Sequence, residues 1–189
     1  MNVKNVLILA GGKGTRMREN TESIPKPMVE IGGLPVLVHI INHFRTFGNF
    51  KFFVLTGYKE EVIFQYFKDN IHDDVSLIPT GLETNTGGRI KKAQEFIDGN
   101  FFMTYGDGLS DIDISEIDNF HSQHNKIATI SVNKPVSRFG LVDFDKEGKV
   151  NAFIEKPILN SYVNMGYMIL NPSVFGYLNE DIPFEANPL

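Results

Sequence analysis

A glycine-rich segment carrying two cations, LAGGKGTRM, occupies residues 9–17. Its three glycines let the backbone approach a phosphate chain and turn N–H groups toward it, while Lys13 and Arg16 supply positive charge. A Walker-type loop would need Ser or Thr directly after its lysine, and a dinucleotide-binding fingerprint would need a further glycine, so neither fits. A tight turn with solvated cations is the alternative, but such a turn needs only one or two glycines. The segment therefore predicts an anion-binding loop.

A lysine held between two prolines follows at residues 25–27. Because each proline fixes its own backbone, the segment restricts where the Lys26 ammonium group can lie. Taken alone, this pattern favours a rigid loop with a surface lysine. Together with the glycine-rich segment, it favours a second contact to phosphate.

An aspartate, Asp107, comes just after the apolar run at residues 101–105. Open α/β folds bind ligands at the carboxyl ends of parallel strands, where this carboxylate would project. Asp-Gly is also a common hairpin turn, but the pattern that follows is helical and is not that of a paired strand. Asp107 is therefore a candidate metal ligand.

The elements that must position these residues alternate along the chain. Apolar runs predict strands at residues 6–10, 50–56, 75–78, 101–105 and 128–132. A period of 3.6 residues predicts helices at residues 36–47, 60–67, 90–97 and 114–125. This order predicts an α/β, Rossmann-like fold with an open, mostly parallel sheet and helices on both faces. Beyond residue 134, we expect a small appended β-rich portion with a hairpin at 141–155, a strand at 167–170 and a short helix from residue 172.

Length and composition narrow the function classes. The chain has 189 residues, a formal net charge of −5 and no cysteine, which excludes a disulfide framework and a cysteine nucleophile. The acidic charge argues against nucleic acid, and no apolar run approaches the ~20 residues of a membrane span. We therefore expect a cytoplasmic protein with no nucleic-acid or membrane partner. Residues 1–30 are nonetheless net positive, which suggests a small anionic ligand held at one site.

Two pairs of segments carry a resemblance to a known family. Residues 11–16 (GGKGTR) followed by 25–27 (PKP) resemble the signature of the sugar-phosphate nucleotidyltransferases, which make activated sugars from a nucleoside triphosphate. Residues 80–91 (TGLETNTGGRIK) and 104–108 (TYGDG) resemble its glucose-1-phosphate cytidylyltransferase branch. With no repeat or linker to divide the chain, we expect one domain over residues 1–189, with a nucleotide-binding core at 1–134 and an acceptor-binding portion at 135–189.

The resemblance implies that CMP is transferred from CTP to a small phosphate monoester, such as glucose 1-phosphate, with release of pyrophosphate and with Mg²⁺ as cofactor. A phosphate monoester has a second pKa of ~6, so the acceptor is already ionised at neutral pH and needs no general base. Positioning and charge neutralisation would then carry catalysis. This agrees with the five histidines, none of which lies beside the glycine-rich segment.

The resemblance also assigns roles to residues. Arg16, Lys26 and Asp107 would be catalytic, with Asp107 binding the metal ion. The nucleotide-binding residues would be Leu9, Ala10, Gly11, Gly12, Lys13, Gly14, Thr15, Arg16, Thr84, Gly87, Gly88, Arg89 and Gly106. The acceptor-binding residues would be Lys26, Gly140, Glu155, Lys156, Asn164 and Gly166.

The chain departs from the family pattern in two places. Asn164-Met165-Gly166 stands where the pattern usually has Asn-Gly-Gly, so Met165 would reshape the acceptor pocket. The family's second metal-binding aspartate lies in a later segment, so we expect a shortened chain or a ligand from elsewhere; Asp111 and Asp113 are candidates only by nearness in the sequence. Three alternatives stay open: another nucleoside triphosphate, a non-sugar acceptor, or a nucleotide-binding regulatory subunit without turnover. A homo-oligomer also stays open.

Overall fold

The computed structural model describes residues 3–14, 24–70, 72–124, 126–178 and 181–186. The strands in this part of the chain are β1 (Lys4–Leu9), β2 (Glu30–Ile31), β3 (Leu34–Pro35), β4 (Phe50–Thr56), β5 (Val75–Pro79), β6 (Phe101–Tyr105), β7 (Ala128–Asn133), β8 (Leu141–Phe144), β9 (Val150–Ile154) and β10 (Val163–Leu170). The α-helices are α1 (Val36–Arg45), α2 (Glu60–Asp69), α3 (Thr86–Lys92) and α4 (Ile114–Ser122). Short 3₁₀ helices cover Lys26–Met28, Gln94–Phe96 and Pro172–Tyr177.

Six of these strands form the central sheet, in the order β5-β4-β1-β6-β10-β7. The first four pair in parallel, while β10 pairs antiparallel with both β6 and β7. The predicted α/β class with a mostly parallel sheet is therefore confirmed. The chain moves outward from β1 to β4 and β5 and then returns to place β6 on the other side of β1, so a crevice opens between the carboxyl ends of β1 and β6.

Successive residues of β1 point into two separate hydrophobic cores, which is why the strand is a continuous apolar run. Val6 and Ile8 pack in the core beneath α1, α2 and α4. Leu7 and Leu9 pack on the opposite face, with Ile90 of α3 and with side chains between residues 170 and 184. Helices thus cover both faces of the sheet, as the alternation of elements predicts.

The helix predicted at residues 90–97 is displaced in the structure. It begins at Thr86 and ends at Lys92, and a 3₁₀ turn over Gln94–Phe96 follows. The N–H of Gly87 in its first turn donates to the carbonyl of Ile182 at 3.0 Å. Because this partner is distant in the sequence, no local pattern marks the earlier start.

Of the β-rich portion predicted after residue 134, the hairpin is present as a separate unit, whereas the strand predicted at 167–170 is part of β10 and belongs to the central sheet. β8 and β9 pair antiparallel as a hairpin in a sheet of their own, and every residue of both strands is exposed. An isolated bridge between Val136 and Ile158 brings the hairpin's two flanking segments together. Over the described residues, no helix is long and apolar enough to cross a membrane.

Candidate functional site

A cavity of about 420 Å³ opens at the carboxyl ends of β1 and β6. It collects residues that the sequence places far apart: Leu9, Ala10, Gly11, Gly12, Lys13, Gly14, Lys26, Pro27, Leu82, Glu83, Thr84, Asn85, Thr86, Arg89, Tyr105 and Asp107. The glycine-rich loop, the lysine between prolines and the strand-end aspartate therefore meet at one place. Two of the predicted residues, Thr15 and Arg16, lie outside the described residues.

The glycine-rich loop is tied to the sheet by backbone hydrogen bonds. Ala10 N–H donates to the Leu55 carbonyl, and Tyr58 N–H donates to the Gly11 carbonyl, both at 3.0 Å. A Cβ placed on Gly12 would meet nothing within 4 Å, so this stretch of backbone is open to approach. Gly14 has φ +63°, a left-handed backbone conformation that residues with a side chain rarely adopt. A Cβ placed on Gly14 would lie 3.0 to 3.2 Å from the methylene carbons of Lys26. The loop thus presents accessible backbone beside a lysine.

Arg89 is the most buried cation of the cavity, with 3% of its surface exposed. Its terminal nitrogens donate to the carbonyls of Thr56 (2.9 Å), Gly11 (2.9 Å) and Leu82 (3.3 Å) and to the Thr80 hydroxyl. Burial lowers the pKa of Arg89, against the opposing effect of the nearby carboxylates of Asp181 and Glu60. The guanidinium group therefore joins the glycine-rich loop to the loop that precedes α3.

The surroundings of Arg89 also account for two glycines. A Cβ on Gly11 or on Gly57 would overlap the guanidinium group. The four terminal N–H groups of an arginine match the four acceptors just described. Contact between Arg89 and a phosphate therefore stays a prediction, and it would require these hydrogen bonds to change.

Two ion pairs cross the cavity. Lys26 Nζ lies 3.8 Å from Asp107 Oδ2, with 19% and 48% of the two side chains exposed. Lys13 Nζ lies 2.5 Å from Glu83 Oε1, with 45% and 75% of the two side chains exposed. Each pair joins a cation of a predicted phosphate-binding segment to a carboxylate on another loop. The cavity therefore offers two ammonium groups that an anion could attract.

Polar side chains of the loop before α3 and of α3 itself form hydrogen bonds that hold this loop. The Thr84 hydroxyl donates to the Thr80 carbonyl at 2.6 Å, and Lys92 Nζ donates to the same carbonyl at 2.6 Å and to Thr84 Oγ1 at 3.3 Å. Gly81 has φ +92°, which allows the turn that starts the loop. Thr84 thus lines the cavity while also holding the loop's shape.

Gly87 and Gly88 face residues 181–182 and do not line the cavity. A Cβ on Gly87 would lie 2.6 Å from the Ile182 carbonyl oxygen, and one on Gly88 would overlap the Asp181 carboxylate. Contact of these two glycines with a nucleotide base stays a prediction. Their small size is explained here by close packing against a later segment of the chain.

Asp107 is the residue best placed to hold a divalent cation. Its carboxylate is a hard oxygen ligand, half exposed and facing the cavity that carries the predicted phosphate-binding groups. Mg²⁺ often takes one or two protein carboxylates and completes its shell with phosphate oxygens and water. No cluster of three His, Asp or Glu side chains suited to a metal ion exists among the described residues. Asp113 caps α4 by accepting from Ser115 N–H (2.8 Å) and Glu116 N–H (3.1 Å), which gives it a structural role.

The predicted acceptor residues form two groups outside the lining of this cavity. Gly166 lies against the ring of Tyr105, and its N–H donates to Asn164 Oδ1 at 2.7 Å. Gly140, Glu155 and Lys156 belong to the exposed hairpin region. Glu155 and Lys156 are 3.9 Å apart and mostly exposed. The structure thus brings the first group to the edge of the cavity through Tyr105, while the second group lies apart.

Sequence reasoning missed several lining residues. Glu83, Asn85, Thr86 and Tyr105 lie inside the two segments that carry the family resemblance, so their position was a usable signal. Glu185, which contacts two lining residues from behind the cavity wall, lies in no segment that carries the resemblance. Its carboxylate accepts hydrogen bonds from the hydroxyls of Thr86 (2.8 Å) and Tyr105, which lie about 80 to 100 residues earlier in the chain.

Comparison with known proteins points to one family. A model of the nucleotidyl transferase family matches residues 5–186. The glucose-1-phosphate cytidylyltransferase of Salmonella typhimurium is 39% identical, over 97% of this chain and 81% of its own length. The probable glucose-1-phosphate cytidylyltransferase of Bacillus subtilis is 37% identical, over 97% of this chain and 82% of its own length.

Solved structures show the same architecture. HddC from Yersinia pseudotuberculosis, also determined as a complex with GMP-PN, is 30% identical with a TM-score of 0.74, over 97% of this chain and 84% of its own. The inositol-1-phosphate CTP transferase from T. maritima is 16% identical with a TM-score of 0.68, over 96% of this chain and 78% of its own, which is a likeness of fold alone.

Proposed function

Because the chain belongs to the nucleotidyl transferase family, we propose that it is a sugar-1-phosphate cytidylyltransferase. It transfers CMP from CTP to a sugar 1-phosphate such as glucose 1-phosphate and releases pyrophosphate. The observation that supports this most is the identity of 37–39% to glucose-1-phosphate cytidylyltransferases over 97% of the chain. A cytoplasmic location and Mg²⁺ dependence are part of the proposal.

The proposed reaction is a single displacement at phosphorus. An oxygen of the acceptor phosphate forms a bond to the α-phosphorus of CTP, and the bond from that phosphorus to the bridging α,β oxygen breaks. Pyrophosphate leaves with the bonding electron pair. Because the acceptor oxygen is already ionised, no proton has to be removed before it attacks.

The residues of the cavity supply positioning and charge. The open backbone at Gly12 and the ammonium group of Lys13 bind the triphosphate, and Lys26 holds the acceptor phosphate in line with the α-phosphorus. Asp107 would hold Mg²⁺, which when bound neutralises phosphate charge. Arg16, outside the described residues, would neutralise charge that builds up in the transition state.

A second candidate differs only in the nucleotide. HddC, whose structure is known in complex with GMP-PN, matches this chain at 30% identity and a TM-score of 0.74. The family resemblance, and not the shape of the cavity, points to cytidine. A guanylyltransferase is therefore the alternative to test first.

A pyrophosphate-release screen tests the proposal. The four nucleoside triphosphates are each paired with glucose 1-phosphate, a second sugar 1-phosphate and a non-sugar phosphate monoester, with and without Mg²⁺. We expect the highest kcat/KM for CTP with a sugar 1-phosphate, lost when Mg²⁺ is removed. Lys26→Ala should lower kcat/KM by ~10²-fold. Lys68→Ala, on the exposed surface of α2, is the matched control and should leave it unchanged.

Other results of the same screen would change the conclusion. Preference for GTP would favour the second candidate, and preference for the non-sugar monoester would overturn the acceptor class. Tight nucleotide binding in calorimetry with no pyrophosphate release from any pair would indicate a regulatory subunit.

A further inference from the structure

The segment at residues 181–186 lies against the loop that opens α3. Asn85 N–H donates to Asp181 Oδ1, and the Asn85 side-chain amide donates to the Asp181 carbonyl, both at 2.8 Å. The Phe184 N–H donates to Thr86 Oγ1, also at 2.8 Å. Phe184 is fully buried in the core on that face of the sheet. This segment is therefore a fixed part of the wall behind the cavity.

Glu185, in this segment, connects two parts of the cavity that come from different elements. Its Oε2 accepts from the Thr86 hydroxyl at 2.8 Å, and its Oε1 accepts from the Tyr105 hydroxyl. Thr86 opens α3, whereas Tyr105 ends β6, and both line the cavity. One carboxylate thus holds two lining side chains at a fixed separation.

Tyr105 extends this connection to the predicted acceptor side. A Cβ on Gly166 would lie 2.8 Å from Tyr105 Cδ2, so the ring lies directly over this glycine. Asp107 follows two residues later, beside Lys26. The Tyr105 hydroxyl is the donor in the hydrogen bond to Glu185.

We infer that Glu185 is a positioning residue of the transfer reaction, holding the nucleotide wall through Thr86 and the acceptor wall through Tyr105. The inference rests on the proposed function, because it concerns the alignment of the two substrates. In-line attack needs the reacting atoms about 3–3.5 Å apart, and a misplacement of about 1 Å can cost ~10²-fold in rate. A carboxylate that joins the two walls is suited to keep that spacing.

Three variants test the two hydrogen bonds that Glu185 accepts, from Thr86 and from Tyr105. Tyr105→Phe keeps the ring over Gly166 but removes the donor to Glu185. Thr86→Val keeps the side-chain shape but removes the other donor to Glu185, together with the acceptor of the Phe184 N–H. Glu185→Gln leaves one oxygen to accept where the carboxylate has two. Tyr177→Phe, at an exposed tyrosine, and Glu95→Gln, at an exposed glutamate of the Gln94–Phe96 turn, are the matched controls.

Steady-state pyrophosphate release should divide these variants. We expect Tyr105→Phe to lower kcat by ~10-fold and raise the acceptor KM, with the nucleotide KM within about twofold of the wild-type value. Thr86→Val should instead raise mainly the nucleotide KM. Glu185→Gln should show both effects, and the double variant Tyr105→Phe/Glu185→Gln should be no worse than the poorer single variant, because its two changes break the same hydrogen bond.

Thermal unfolding of the same samples distinguishes a positioning role of Glu185 from a purely structural one. If Tyr105→Phe and Glu185→Gln lower Tm but leave kcat and both KM values at those of the wild type, the inference is overturned. Additive losses in the double variant would also overturn it. Wild-type turnover with a different nucleotide or acceptor would overturn only the proposed function, and the variants are then measured with that pair; absence of any wild-type turnover would overturn both.

Discussion

Replacing Arg89 with lysine would keep the buried positive charge but remove the planar fork that reaches four oxygen atoms. The guanidinium contacts the carbonyls of Gly11, Thr56 and Leu82 and the Thr80 hydroxyl. A single ammonium group at this depth can reach about two of them, since its donors diverge from one nitrogen. The Gly11 and Thr56 carbonyls would keep the N–H donors of Tyr58 and Thr80, so the loss is that of about two hydrogen bonds from a charged donor. At about 1.5–3 kcal/mol for each of these, the variant should lose about 3–6 kcal/mol of folding free energy.

Urea unfolding measures this loss, and Arg45→Lys provides the control. Arg45 also forms a forked contact, donating to both carboxylate oxygens of Asp74 at 3.0 and 2.6 Å, but these side chains are about one-third exposed. Water can replace lost contacts there, so we expect a change of about 0–1 kcal/mol. Equal losses in the two variants, or a loss below about 1 kcal/mol in Arg89→Lys, would refute the reasoning from burial and saturated donors.

The remaining predictions concern charge and pH. Asp107→Asn should lower kcat by ~10²-fold or more and raise the Mg²⁺ concentration for half-maximal rate, while calorimetry still detects nucleotide binding; an unchanged Mg²⁺ titration would contradict the assigned role. Glu83→Gln should lower the nucleotide KM by up to about fivefold, because it releases Lys13 from an exposed ion pair worth at most about 1 kcal/mol, and an increase in KM would show that Glu83 itself helps binding. Burial, and secondarily the charge of His124, lowers the pKa of His121. As pH falls below about 6.5, the unfolded chain therefore binds more protons than the folded chain, and the free energy of unfolding decreases. Urea unfolding should show this decrease in the wild type and a smaller decrease in His121→Gln.

The sequence predicts the sheet and the gathering of the site because both follow from local patterns. A run buried on both faces marks β1, and alternation with helices marks a parallel sheet, which in turn brings strand-end groups such as Asp107 to one edge. The lysine between prolines could be expected to join them because its backbone is restricted, and Lys26 does lie 3.8 Å from Asp107.

Local sequence patterns do not predict contacts between distant segments. The insertion of β10 between β6 and β7 depends on pairing across more than thirty residues, which leaves no local mark. Glycines 87 and 88 look like part of a base-binding loop, yet the structure packs them against Asp181 and Ile182. Arg89 likewise resembles a phosphate ligand at a helix start, but its acceptors come from three other parts of the chain.

The fit of the Arg89 guanidinium against Gly11 sets an order in which these two positions can change during evolution or engineering. A side chain at position 11 would collide with the arginine, so this glycine can be replaced only after position 89 has become smaller. Gly57 stays restricted in either case, because a Cβ there would also lie 2.8 Å from the Gly81 carbonyl oxygen. Shortening the arginine first leaves its backbone acceptors exposed to whatever water enters, a cost that a later larger residue at position 11 could partly recover by filling the space. Randomising the glycine-rich loop while keeping Arg89 would therefore discard variants that a library varying positions 11 and 89 together would recover.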